Sequence, residues 1–334
     1  MVLNAAMRSL REGPFSPGAS RVTTGEHAIY RKLEGELARR FKRRAACLAS
    51  GGYVANLVAA QLLREHVTHG LIDNRAHVSL VDGLKAVGLP LGSFGHRDVT
   101  DLRRKLAALP GDSSPLVATD GLFGHDGAVA PLKEYLSILP ANGWLLVDDA
   151  HGVGVLGKEG RGSVEHCGVD DPRIVLTGTL SKAFGAYGGF VLSERFSAGV
   201  AAGCSAAFAG GTPMPVSVAS AALAGLRIAF DDRGRRKRLS HNIQWLKSRI
   251  LKVCGERIPA AGTPGPMLTV VPVNRRAGQA FRRRLLQEGV FPSWIRYPGG
   301  PEAGMFRFAL SSQHRASEVA SLWAALKWYL ETWV

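Results

Sequence analysis

Cysteine is scarce and scattered in this chain. Cys47, Cys167, Cys204 and Cys254 are its only four thiols in 334 residues, and none stands in a Cys-x-x-Cys spacing. That excludes a zinc finger and a disulfide framework, and predicts free thiols, buried or partly buried, in a reducing cytoplasm. Long apolar runs are missing too. No stretch reaches the roughly 18 residues of a membrane span, so no membrane association is expected. The first residues, MVLNAAMRSLR, lack the apolar core of a signal peptide. Acidic residues are outnumbered, 27 Asp and Glu against 42 Lys and Arg, for a net charge of +15. The densest basic runs are Arg233–Arg238 and Arg282–Arg284. Neither interleaves aromatics, and no zinc-finger, RNP or Walker pattern accompanies them. They are expected to be solvated helix faces, or a field that attracts an anionic substrate such as an acyl-CoA or acyl-carrier-protein thioester, and nucleic acid is not an expected partner.

What is present is an ordinary globular balance, 46% hydrophobic and 21% charged. Residues 26–43 carry Ile29, Leu33, Leu37 and Phe41 at helical spacing. Strand-like apolar runs then alternate with helices. Strands are predicted over 45–50, 70–73, 88–94, 115–119, 144–147, 173–177 and 188–192, and helices over 53–65, 79–86, 98–109 and 131–139. Such alternation, with nearly continuous apolar strands, implies an α/β fold around a mostly parallel sheet covered on both faces. Past residue 230 the pattern becomes helix (239–253), strand (267–271), helix (279–288), strand (305–310) and helix (316–332), a smaller α+β domain. The expected division is a Gly/Pro/Ser-rich leader at 1–25, a large domain at 26–230 and a small domain at 231–334.

Four segments can carry chemistry, and each has a plainer reading. In Thr177–Gly189 (TGTLSKAFGAYGG), Lys182 sits between hydroxyls and glycines. A lysine forms an imine with an aldehyde cofactor, nearby hydroxyls suit a phosphate, and the alternative is a solvated surface turn. In Trp144–Gly154 (WLLVDDAHGVG), a buried strand ends at Asp148 with His151 three residues on. Ligands of open α/β sheets bind at such strand ends, and an Asp there can pair with a pyridinium nitrogen. The alternatives are a helix cap and a metal site that shares Asp148 and His151. In Ala49–Asn56 (ASGGYVAN), glycines at a helix start can offer N–H groups to a phosphate, or merely turn the chain. His77, just past a strand, can stack on a flat cofactor, act as an acid, or cap a helix. Taken in order along the chain, the four supply a phosphate cradle, a ring cover, a pyridinium partner and an imine lysine.

The same motifs resemble those of the α-oxoamine synthases, a group of pyridoxal 5'-phosphate (PLP) enzymes. Gly18–Gly25 (GASRVTTG), Gly52–Asn56 (GYVAN), Thr119–Asp120–Gly121, Asp148–Gly154 (DDAHGVG) and Gly178–Lys182 (GTLSK) carry the likeness. The resemblance implies PLP fold type I, the aspartate-aminotransferase-like architecture, with a seven-stranded sheet and a smaller C-terminal domain. It implies that Lys182 carries the cofactor, Asp148 pairs with the pyridine nitrogen, His151 bonds the phenolic oxygen and His77 stacks on the ring. Gly52, Tyr53 and Thr179 would hold the phosphate, and Thr212 would reach the phosphate of a second copy in a homodimer. Arg307 would grip the carboxylate of a small amino acid, with His77 and Arg21 as further substrate contacts. No metal is expected. The implied reaction condenses an amino acid with an acyl thioester and releases CO2. The nearest branch serves biotin synthesis and uses L-alanine. The alternatives are another α-oxoamine synthase, an aminotransferase-, racemase- or aldolase-like reaction, or a non-catalytic subunit. The chain departs from the pattern at Gly51, Gly124 and His125, and at Gly299 where the nearest branch has a Thr, and the pattern's earlier N-Y-L-G-type segment has no counterpart here.

Overall fold

The computed structural model describes residues 1–296 and 300–334, so Gly299 lies outside the described residues. Two compact units emerge, one formed by 1–122 with 130–231, the other by 123–129 with 232–334.

The first unit is built on seven strands: β1 (Ala45–Ala49), β2 (His69–Asp73), β3 (Leu91–Phe94), β4 (Pro115–Asp120), β5 (Trp144–Asp148), β6 (Ile174–Thr179) and β7 (Gly189–Ser193). Their order across the sheet is β1-β7-β6-β5-β4-β2-β3. The pairs β2–β3, β2–β4, β4–β5 and β5–β6 are parallel, whereas β7 runs antiparallel to both neighbours. β4, β5 and β6 are buried at every position, as strands covered on both faces must be. The sheet is therefore the mostly parallel seven-stranded one that the sequence predicts.

Four local features differ from the sequence reading. Within the expected leader, for which no helix is predicted, residues Val2–Glu12 form one, which half-buries Val2, Ala5 and Ala6 and packs on the helix Val216–Asp231. The sequence pattern gives no sign of the latter helix, rich in alanine, because its apolar residues run nearly all round and leave no stripe to detect. Gly225 within it is there for contact, since a Cβ would fall on the carbonyl oxygen of Phe184. The helix expected from residue 239 begins at Arg233, so the basic run forms its first turns and lies largely at the surface. Cys47 and Cys254 are buried and Cys167 half-buried as expected, but Cys204 is exposed, and no disulfide is present among the described residues. No described helix is long and apolar enough to cross a membrane.

The second unit has a three-stranded antiparallel sheet, with β10 (Met305–Ala309) between β8 (Met267–Val270) and β9 (Trp294–Ile295). Helices Arg233–Cys254, Arg275–Gln287 and Ala316–Trp333 bury Leu246, Ile250, Phe281, Leu326 and Tyr329 around Phe306. A lysine is buried beside this core. Lys247 is 3% exposed, and its Nζ donates to Thr263 O (2.9 Å), Thr263 Oγ1 (2.9 Å) and Gly265 O (2.7 Å). Three ammonium protons meet three acceptors, although burial pushes the amine down to about 7. The loop it holds in turn clasps the segment 123–129, through Thr263 Oγ1 donating to Asp126 O (2.9 Å) and Gly265 N donating to Gly127 O (3.1 Å). Lys247→Met leaves the Thr263 and Gly265 carbonyls without their buried donor. It is expected to cost about 2 kcal/mol or more in urea unfolding, against within about 0.5 kcal/mol for the exposed Lys252→Met.

Candidate active site

The site grows from the carboxyl ends of adjacent parallel strands, where an open α/β sheet leaves a crevice. Register places Asp120 of β4 opposite Asp148 of β5, and Asp148 opposite Thr177 of β6. Asp148 is 8% exposed and receives two donors: Ala150 N at Oδ1 (3.0 Å) and Asn56 Nδ2 at Oδ2 (2.6 Å). Asn56 lies one helical turn after Gly52 in the helix Gly52–Leu63, on a face turned to the sheet. Its amide also donates to Ser79 Oγ (2.7 Å) and accepts from Thr177 Oγ1 (2.6 Å). Asn56, Ser79 and Thr177 are all buried.

Ser79 connects this network to His77. The His77 side chain caps the helix Val78–Ala86, with Nδ1 2.7 Å from Ser79 Oγ and accepting from Ser79 N (3.3 Å). The capping alternative is thus part of the answer, and the ring also meets Tyr53 edge-on, with centroids 6.4 Å apart. The backbone N–H of His77 donates to Asp120 Oδ1 (2.9 Å). Asp120 is held well above the usual carboxylate range, first by burial and then by the charge of Asp148.

His151 follows Asp148 by three residues, and its Nε2 lies 3.0 Å from Lys182 Nζ. Beside Lys182, Thr179 Oγ1 lies 2.7 Å from Ser181 Oγ and donates to Gly188 O (3.0 Å). The helix that opens at Gly52 has no side-chain cap at Gly51, so its first N–H groups and dipole are left for another acceptor. Thr179 sits against that opening: a Cβ on Gly52 would come within 3.0 Å of Thr179 Cβ, a spacing that explains the glycine. Tyr53 is half exposed at the same turn, and its hydroxyl bonds Asp82.

These groups match the parts of PLP one by one. An amine suits the aldehyde, a carboxylate the ring nitrogen, an imidazole the phenolic oxygen, and uncapped N–H groups with a hydroxyl the phosphate. Lys182, His151, Asp148, His77, Tyr53, Gly52 and Thr179 all belong to the first unit. Thr212 is also there, exposed on the loop between helices Ala206–Ala209 and Val216–Asp231. Arg307 lies on β10 of the second unit, where its Nε donates to Gly124 O (2.7 Å). Arg21 is placed differently from the substrate contact expected of it. Its guanidinium is buried against Glu26 (2.6 Å) and Glu34, and rests on the rings of Tyr30 and Phe208. Glu34 also accepts from Leu48 N in β1 (3.0 Å), so Arg21 ties the segment before the first long helix to the sheet.

Sequence reasoning gave no role to Asn56, Ser79, Thr177, Asp120 or Asp149, although all lie inside or beside the quoted motifs. Asn56 was detectable as the residue four after Gly52, on the same helix face. Asp149 was not, because its importance comes from glycines far apart in sequence. Its carboxyl is fully buried, and a Cβ on Gly121, Gly152 or Gly162 would collide with it. Oδ2 accepts from Ser163 N (2.7 Å), and the backbone carbonyl accepts from Gly152 and Val153. Asp149 thereby shapes the turn that carries His151. Burial pushes it up to about 8, so the folded chain keeps it protonated where the unfolded chain ionises near pH 4. A raised acid favours the fold fully below the unfolded value, and that contribution is lost as pH rises toward 8. Asp149→Asn is expected to flatten the fall of melting temperature between pH 5 and 8 relative to the parent. Equal slopes would contradict the assignment.

The chain matches the aminotransferase class I and II family model over residues 2–326. It is 36% identical over 330 residues to the 8-amino-7-oxononanoate synthase of Thioalkalivibrio sulfidiphilus, covering 97% of this chain and 83% of that protein. The 8-amino-7-oxononanoate synthase of Nitrosococcus oceani is 34% identical, with coverage of 96% and 85%. Among solved structures, the serine palmitoyltransferase of Sphingomonas wittichii is similar with a TM-score of 0.90 at 26% identity, covering 98% of this chain and 82% of that one. The 8-amino-7-oxononanoate synthase of Francisella tularensis shares the fold, with a TM-score of 0.80 at 22% identity and coverage of 99% and 92%.

Proposed function

Because this chain belongs to the aminotransferase class I and II family and, within it, to the α-oxoamine synthases, we propose that it condenses L-alanine with a pimeloyl thioester. The products are 8-amino-7-oxononanoate, CO2 and the free thiol, and the chain is a PLP-dependent C-acyltransferase. The observation that carries the reading is the 3.0 Å approach of Lys182 Nζ to His151 Nε2, one turn of chain from Asp148.

PLP, when bound, supplies an electron sink for charge that develops at the amino acid's Cα. The chain's own residues do the rest. Lys182 Nζ takes the Cα proton of the amino acid and returns it. His151 fixes the direction of that amine through their contact. Asp148 holds a proton at the ring nitrogen, a task its two donors suit by keeping the carboxylate oriented. Thr179 and the N–H groups at Gly52 and Tyr53 hold the phosphate. Arg307 grips the amino acid's carboxylate with its planar fork, while its Nε is already anchored on Gly124 O. Thr212, exposed on its loop, serves a second copy of the chain in a homodimer. Arg21 we assign to structure, since its guanidinium is committed to Glu26 and Glu34.

Thiol release from pimeloyl-CoA with L-alanine tests this directly. Lys182→Ala is expected to lower kcat about a thousandfold, the scale of a lost general base. Should the parent release no thiol with any acyl chain length, the acyltransferase reading fails. Arg307→Ala is expected to raise the KM for L-alanine about 10- to 100-fold, the worth of a lost charged hydrogen bond. An unchanged KM would remove Arg307 from the carboxylate site.

A further inference from the structure

We propose that Ser79 is a positioning residue that fixes the tautomer of His77, with the ring proton on Nε2 and a lone pair on Nδ1. This rests on the reading that His77 faces the PLP site, but its chemistry follows from donors and acceptors alone.

A carboxylate oxygen accepts, so the Asn56 atom 2.6 Å from Asp148 Oδ2 is the amide nitrogen. The flipped amide would set two oxygens against each other, and would also face the Thr177 hydroxyl with N–H groups instead of the oxygen that accepts from it at 2.6 Å. With the amide fixed, its second N–H points at Ser79 Oγ (2.7 Å), which therefore accepts. The hydroxyl's own proton is left for His77 Nδ1 at 2.7 Å, its other hydrogen-bonding neighbour among the described residues being the donating Asn56 amide. A second donor agrees independently. The backbone N–H of Ser79 also points at Nδ1 (3.3 Å), and an N–H cannot donate to a nitrogen that itself carries a proton. Two donors thus converge on Nδ1, and the remaining nitrogen carries the proton.

The ring is held in place from both sides. Asp120 Oδ1 accepts from the His77 backbone (2.9 Å), and Tyr53 lies edge-on to the imidazole. Ser79 and Asn56 are 2% and 1% exposed, so water does not compete for these bonds. The consequence for function is a division of labour. Nε2 of His77 presents an N–H and no lone pair, so His77 donates a hydrogen bond to an anionic oxygen, such as a substrate carboxylate, and is not a base at that atom. Proton removal is left to Lys182.

Nitrogen-detected NMR of protein labelled with 15N-histidine reads the tautomer directly, with the His77 signal identified by its loss in His77→Gln. The measurement uses the purified chain before and after addition of PLP, so it does not depend on activity. The parent is expected to show Nδ1 unprotonated and Nε2 protonated, and Ser79→Ala, which removes the close hydroxyl donor (2.7 Å) and keeps only the longer backbone one (3.3 Å), is expected to shift the ring to a mixture of tautomers. A protonated Nδ1 in the parent overturns the proposal, as does a Ser79→Ala spectrum with the parent's tautomer. If Ser79→Ala does not fold, the parent spectrum still decides the first point, and Ser79→Thr, which keeps the hydroxyl, is expected to keep the parent tautomer. Thiol release with a protonated Nδ1 would sink this inference and leave the acyltransferase reading standing. The reverse pairing would do the opposite.

Discussion

One buried amide sets the direction of every bond around it. Asn56 meets an acceptor at Asp148, an acceptor at Ser79 and a donor at Thr177, and only one orientation of its two ends satisfies all three. Burial makes the choice strict, because a misdirected polar group in the interior costs about 1–3 kcal/mol. The strand ends β5 and β6, the helix that begins at Gly52 and the turn that carries His77 are joined at this one side chain. Asp148 is therefore a preorganised acceptor, oriented before any ligand arrives, which is what a partner for a cationic ring nitrogen requires.

Glycines do comparable work by making room. Gly121, Gly152 and Gly162 let the Asp149 carboxyl lie where any side chain would collide with it, and that carboxyl shapes the turn holding His151. Gly52 brings the helix start against Thr179, so uncapped N–H groups and a hydroxyl face one place. Burial raises both Asp149 and Asp120, the two acids that flank Asp148 in the chain and in the sheet.

Much of this was legible in the sequence. Apolar runs such as Trp144–Val147 announce covered parallel strands, and the order of Gly52, His77, Asp148 and Lys182 marks the proposed cofactor site, because strand ends and helix starts fall where the periodicity breaks. What was not legible depends on contacts between distant residues. The Ala-rich helix Val216–Asp231 has no one-sided stripe. Arg21 sits inside a motif that resembles a substrate contact, yet its guanidinium is bound to Glu34 across thirteen residues. Asn56 acquires its role from Asp148 and Thr177, which the register of β5 and β6 sets side by side, Ser79 from Asn56 on another helix, and Asp149 from Ser163 and glycines elsewhere in the chain.

Lys182 is the residue proposed to carry PLP. Borohydride reduction of the holoprotein, followed by peptide mapping with mass spectrometry, locates the attachment. A phosphopyridoxyl group on Lys182 is the expected result. A label on another lysine, or PLP that binds tightly and is never fixed to the chain by reduction, would contradict it.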